Sequence, residues 1–178
     1  VKSKWRFAMD KEIGVTGIEL NSKHFSAQSR PRLYWTNIDF IQPKIFNDTN
    51  IIDCLEKNIN EKYFLKKNIQ RKININYQRK NSRSFKIEKI LTVDKNIIKD
   101  NERQRRIYSI YGKSPTLLAR SDTPKILTQK GIRKLTPLEC ERLQKLPDNY
   151  ASCLSDTQRY KAVGNGFTVS AIEYIIKS

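Results

Sequence analysis

What the sequence lacks narrows the possibilities first. No apolar run approaches the ~20 residues of a membrane-spanning helix and no signal segment opens the chain, so neither membrane insertion nor secretion is expected. Only three cysteines occur, Cys54, Cys140 and Cys153, without C-x-x-C spacing, and His24 is the one histidine. A zinc site and a disulfide framework are therefore not expected, and the odd thiol count suits a reducing cytoplasm. Glycine and proline are scarce at six each, and neither occurs between Glu56 and Arg106. Acid is also in deficit, since 18 Asp and Glu face 35 Lys and Arg, for a net charge of +17.

That surplus favours a polyanionic partner, with nucleic acid ahead of an anionic membrane surface. The competing explanation is compositional, because Lys, Asn and Ile crowd the chain together as AT-rich coding sequence would produce. At 178 residues the chain can hold one domain, or a small domain plus a piece of another. Eight Tyr, seven Phe and two Trp supply large side chains for a core. The first residue is Val1 rather than Met, which suggests a fragment or a processed product.

Trp5, Ala8, Met9 and Ile13 recur at helical spacing and Gly14 is placed to end that helix. Gly17 to Leu20 is a candidate short strand and Leu33 to Ile38 a stronger one, rich in aromatic and branched residues. From about Glu56 to Arg106 the chain becomes a basic region with weak alternation, as in Ile73 to Asn76, and reads as an insertion or as a solvated loop. Thr136 then opens a helix: it can cap, Pro137 fits the first turn, Glu139 completes a T-x-x-E box, and Leu135 and Cys140 can form a staple. Leu138, Leu143 and Leu146 give that helix an apolar side until Pro147. A last helix follows Gly164-Asn165-Gly166, with Val169, Ile172, Ile175 and Ile176 as its buried stripe.

Three segments carry chemistry. Gln28-Ser29-Arg30-Pro31-Arg32, if extended, places Gln28, Arg30 and Arg32 toward one side, and two planar guanidiniums there suit phosphate or carboxylate recognition. Alone, the same pattern is equally two surface arginines around a proline turn. In the Thr136 helix, an Arg133–Glu139 ion pair would fix the helix to its preceding loop. Glycines on both sides of Asn165 permit close approach of backbone to a ligand, although such a triplet is often only a turn.

HFSAQSRPRLYWTNI at His24 to Ile38, GIRKLTPLECERLQKLPDNY at Gly131 to Tyr150 and YKAVGNGFTVSAIEYI at Tyr160 to Ile175 occur in this order. They resemble motifs VIII, IX and X of the DNA cytosine-5 methyltransferases, and SPTLLA before the second resembles the stretch that precedes motif IX. The resemblance implies the C-terminal part of an α/β, Rossmann-like S-adenosylmethionine-dependent methyltransferase domain with an inserted small target-recognition domain. It divides the chain into residues 1–55 as the end of the catalytic domain, 56–150 as the recognition domain with motif IX, and 151–178 as the segment returning to the catalytic domain.

By the same resemblance Arg32 contacts the carbonyl edge of a flipped cytosine, Arg30 pairs with a catalytic glutamate outside this sequence, and Gln28 supports their loop. Asn165, Gly166 and Phe167 touch S-adenosylmethionine, and base-reading side chains lie within Lys57 to Arg106. Base flipping suits a reaction that must reach C6 of a stacked base. The family's Gly-rich first motif, its Pro-Cys-Gln nucleophile and its Glu-Asn-Val acid have no counterpart here, although Val1 could be the last residue of the third. The implied partners are double-stranded DNA and an N-terminal catalytic half, with no metal and no membrane, in the cytoplasm of a bacterium or under phage control. The alternative is an inactive DNA-binding remnant.

Overall fold

In a computed structural model the described residues are 3–44, 47–75 and 82–178, so Val1 and the end of the Ile73–Asn76 alternation lie outside them. Helix α1, Ser3–Ile13, forms where expected, and Gly14 closes it with φ +78° while its N–H donates to the Asp10 carbonyl at 3.0 Å. None of its residues is buried, and Trp5, Phe7 and Ile13 lie open.

Strands β1, Ile18–Asn21, and β2, Pro31–Tyr34, pair antiparallel with Leu20 opposite Arg32. The second strand thus starts and ends earlier than its aromatic run suggested. Trp35 turns its indole N–H to Asp10 at 2.6 Å and the following residues leave the ladder. Helix α5, Val169–Lys177, lays Ala171 and Ile175 against Leu20 and Phe40. Of its expected stripe only Ile175 is fully buried, while Ile176 is exposed on the other side of the helix.

The basic middle is built rather than loose in its described part. It carries a short helix α2, Lys67–Arg71, and strand β3, Lys89–Thr92. With β4, Arg106–Ser109, β5, Lys125–Thr128, and β6, Gly131–Lys134, it forms a sheet in the order β3-β4-β5-β6. The β4–β5 pair is parallel and the other two are antiparallel. Ile73, Val93, Ile107 and Ile132 close a core on one side of that sheet. Alternation was weak because the strands are only four residues long, too short for a period of two to stand out.

Helix α3, Pro137–Leu143, begins as read: the Glu139 N–H donates to Thr136 Oγ1 at 3.2 Å and the Thr136 N–H donates back to Glu139 at 2.9 Å. It stops well before Pro147, because the chain turns at Lys145, whose φ is +59°. A further helix, α4, Asp156–Asn165, was not expected. Gly164 and Asn165 are its last two residues, not a loop. The largest core joins these elements: Leu135, Cys140 and Leu143 pack with Ile51, Ile126, Leu117, Tyr160 and Val163.

Candidate functional site

The Gln28–Arg32 segment is not a strand until Pro31, so its alternate residues do not share one fate. Gln28 and Arg30 are buried, at 0% and 5% exposure, whereas Arg32 is exposed and its guanidinium donates to the adjacent Pro31 carbonyl at 2.7 Å. The Ser26 hydroxyl accepts the Gln28 N–H at 3.1 Å and Gln28 bridges to Ser114, which pulls this end inward before the ladder begins.

Arg30 reaches the other end of the chain. Its Nη1 donates to the Leu117 carbonyl at 3.0 Å, and its Nη2 donates to the carbonyls of Gly164 at 2.9 Å and Gly166 at 3.0 Å. Those carbonyls are the ones that helix α4 leaves unsatisfied at its C-terminus, and a cation there also meets the negative end of the helix dipole. Desolvation, then the nearby Arg32 charge, pull Arg30 down to about 10, which leaves it cationic at neutral pH.

Gln144, just beyond α3, is the hub of the same region. Its Oε1 accepts from Gln28 Nε2 at 3.2 Å and from Thr168 Oγ1 at 2.7 Å, and its Nε2 donates to the Val163 carbonyl at 2.9 Å. Its own carbonyl takes the Val169 N–H at 2.9 Å, so the first amide of α5 is already engaged. Gln28 completes the set by accepting the Leu117 N–H at 3.1 Å. One amide side chain thus holds the Gln28 segment, α3 and the turn between α4 and α5 in register.

The two glycines of that turn differ. A Cβ on Gly164 would lie 2.2 Å from the Leu118 carbonyl oxygen, so packing demands glycine, whereas at Gly166 the nearest atom would be 3.4 Å away. Nothing internal requires a missing side chain at Gly166, which leaves space on its outer side. Asn165 beside it is exposed, and Phe167, 62% exposed, lies 6.3 Å from the Tyr34 ring. Gly166, Phe167, Val169, Ile172 and Ile176 line one wall of an open, apolar groove of about 610 Å³, with Leu154 opposite.

Arg133 and Glu139 do form the expected ion pair, doubly bonded at 2.7 Å, at 2% and 0% exposure. The Glu139 carboxylate also accepts the Glu56 N–H at 3.0 Å, which ties the start of the basic region to α3. Sequence reasoning missed Lys113, whose Nζ is buried among the carbonyls of Ser26, Asn47 and Thr49 at 3.1, 2.6 and 2.6 Å. A lysine in a run of polar residues carries no mark of burial. Gln144 did carry one, as a polar residue at the end of an apolar helical face. Burial pushes the thiols of Cys54, to about 11, and of Cys140 upward, so neither is poised as a nucleophile. Among the described residues no cluster of His, Cys, Asp and Glu suits a metal, and no helix is long and apolar enough to cross a membrane.

Comparison with known proteins gives a consistent result. The family model of the C-5 cytosine-specific DNA methylases matches residues 15–178. The type II methyltransferase M.HpaII of Haemophilus parainfluenzae is 47% identical over 47 residues, 26% of this chain and 13% of that protein. M.HhaI of Haemophilus parahaemolyticus is 35% identical over 89 residues, 47% of this chain and 27% of that protein. Among solved structures, the methyltransferase EhMeth of Entamoeba histolytica superposes with a TM-score of 0.55 at 16% identity, covering 91% of this chain and 53% of that one. The Dnmt2 methyltransferase of S. pombe does so with 0.55 at 14%, covering 90% and 55%. The chain therefore has the α/β fold of these methyltransferases while spanning about half their length, and a smaller share of the two type II enzymes.

Proposed function

The chain belongs to the C-5 cytosine-specific DNA methylase family, and we propose that it is the C-terminal portion of such an enzyme, supplying target recognition and one wall each of the base and cofactor pockets. The observation that carries this is the Arg30 guanidinium on the Gly164 and Gly166 carbonyls. It unites segments that resemble motifs VIII and X across more than 130 residues.

In this assignment residues 1–55 and 151–178 belong to the catalytic domain and 56–150 to the recognition domain. The core around Leu20, Ala171 and Ile175 joins the two catalytic segments and that around Val93 and Ile107 lies within the recognition segment, while the largest core, with Ile51, Leu135 and Tyr160, spans all three and would be the seam between the domains. Arg32, exposed on β2, is free to meet the carbonyl edge of a flipped cytosine. Arg30 keeps the strand in place through backbone carbonyls, and pairing with a glutamate of the other half would use the donors it has left. Gln28 holds the loop through Gln144.

S-adenosylmethionine, the methyl donor of this family, supplies the transferred methyl group when bound. The turn fits such a group: the outer side of Gly166 is open, Asn165 offers an exposed amide, and Phe167 offers a ring face. Cys54 and Cys140 are buried, and none of the three cysteines, exposed Cys153 included, follows a proline as the family's nucleophile does, so the nucleophile is expected from an N-terminal half. Duplex DNA and that half are the partners. The test is co-expression with a family N-terminal half carrying Pro-Cys-Gln and Glu-Asn-Val segments. Formation of 5-methylcytosine in cellular DNA, abolished by changing the supplied cysteine, is expected. A stable complex that binds S-adenosylmethionine and DNA but never methylates would favour the inactive remnant.

A further inference from the structure

We propose that the base-reading edge of the recognition domain is the end of the sheet carrying Arg103 and Arg120, with these two arginines contacting base edges next to the methylated cytosine. This rests on the methyltransferase assignment and deepens it by naming residues.

The sheet topology supplies the first step. Because β4 and β5 run parallel, the segments entering them, the 3-10 turn Glu102–Arg105 and the loop 118–124, emerge at one end. Strand β3 is antiparallel to β4, with Thr92 opposite Arg106, so the segment leaving it joins the same end. Lys125 locks the two entering segments side by side: its buried ammonium donates to the Gln104 carbonyl at 2.7 Å and lies 3.1 Å from Asp122 Oδ1. The Val93 N–H donates to the Arg105 carbonyl at 2.9 Å and the Arg105 guanidinium returns to the Val93 carbonyl, which braces the turn. Arg103, beside Gln104, and Arg120 remain exposed on this braced frame.

The second step is proximity to the site. Leu117 gives its carbonyl to Arg30, and the Leu118 carbonyl and Ala119 nitrogen lie so close over Gly164 that a Cβ there would be 2.2 and 2.6 Å from them. Arg120 is the next residue, one Cα step of about 3.8 Å further. The loop therefore runs directly from the Arg30 cage to Arg120. The other end of the sheet carries Lys130 in the β5–β6 turn and, before β3, Lys86, whose carbonyl accepts the Lys113 N–H at 2.9 Å; these two lysines are the controls for the opposite end. Arginine in a rigid loop reads guanine O6 and N7 bidentately, whereas phosphate contacts carry no sequence information.

The experiment is selection from a random duplex library by the chain itself at low salt, followed by competition titrations, for the parent, R103A, R120A and the control pair K86A and K130A. The parent should enrich one short sequence. R103A and R120A should each relax preference at one position by about 5- to 150-fold, with unchanged unfolding midpoints, while the controls keep the preference. Uniform weakening with the sequence preference intact would make these arginines phosphate contacts and overturn the proposal. Loss of preference in the control pair instead would move the edge to the opposite end and overturn it too. No salt-dependent duplex binding by the parent would overturn the target-recognition role proposed for the chain along with this one, whereas sequence-selective binding untouched by R103A and R120A would sink this one alone.

Discussion

Arg133 and Glu139 show how a single pair can fasten two parts of the chain. Both are desolvated, and Glu139 accepts from Arg133, from the Thr136 N–H and from the Glu56 N–H. Replacing the cation by an apolar residue leaves the carboxylate buried without its counter-charge, which typically destabilises by about 3–5 kcal/mol. Arg133→Met should therefore lower the urea midpoint by far more than the exposed change Lys130→Met, and equal midpoints would mean the pair is solvated in solution. The pair itself was legible in sequence, because a T-x-x-E box fixes where Glu139 points. Lys113 behaves differently. Desolvation draws it from 10.5 down to about 8, against its three carbonyl partners. Between those values the unfolded chain binds more protons than the folded one, so this group's contribution to stability rises with pH and is least below pH 8. At 1.36 kcal/mol per pKa unit the full change is on the order of 3 kcal/mol. Relative to Lys113→Met, the parent should gain stability from pH 7.5 to 10, and parallel unfolding midpoints over that range would refute it.

At the scale of elements, the two glycines of the turn joining α4 to α5 meet different surroundings, one packed and one open. Gly164→Ala must displace the Leu118 carbonyl, backbone that Arg30 and Gln28 already fix through Leu117, and overpacking of this kind destabilises by about 1–3 kcal/mol. Gly166→Ala meets nothing closer than 3.4 Å. The expected outcome is a split: Gly164→Ala lowers the thermal midpoint, while Gly166→Ala leaves it within a degree or two and weakens S-adenosylmethionine binding in the assembled enzyme. If both changes only destabilised, the outer side of Gly166 would be packing surface rather than cofactor wall. Sequence reasoning found the glycines and the helix after them, yet not that α4 runs through Gly164 to Asn165. Tyr160 and Val163 supply its buried face from only ten residues, too few apolar positions to set a period of 3.6 apart from noise. It likewise placed Gln28, Arg30 and Arg32 on one side by assuming an extended segment. Whether a residue joins a ladder depends on its partner strand, here β1, and that long-range pairing is not encoded in local pattern.

Over the whole molecule two properties bear on its partners. One is charge: the chain's net +17 would give the proposed duplex affinity, which should fall steeply with salt. If about six phosphates are neutralised, the loss between ~50 and ~200 mM is about a thousandfold, and a flat response would reduce the charge to coding bias. The other is open apolar surface: Trp5, Phe7 and Ile13 on α1, and Phe167 and Ile176 beside the groove along α5, lie exposed. A helix of eleven residues with none of them buried, tied to the strands through the bonds of Arg6 and Asp10 to Gly17 and Trp35, has little to hold it in water, and large apolar side chains left open on it and beside the groove suit an interface. The N-terminal half proposed above is the partner that would cover it. The chain alone should therefore bind a solvatochromic dye such as ANS and show little protection of α1 amides in hydrogen exchange, and both signals should reverse on co-purification with that half. Full protection of α1 in the isolated chain would mean that the helix is stable without a partner, and the division of the enzyme proposed here would then have to lie elsewhere.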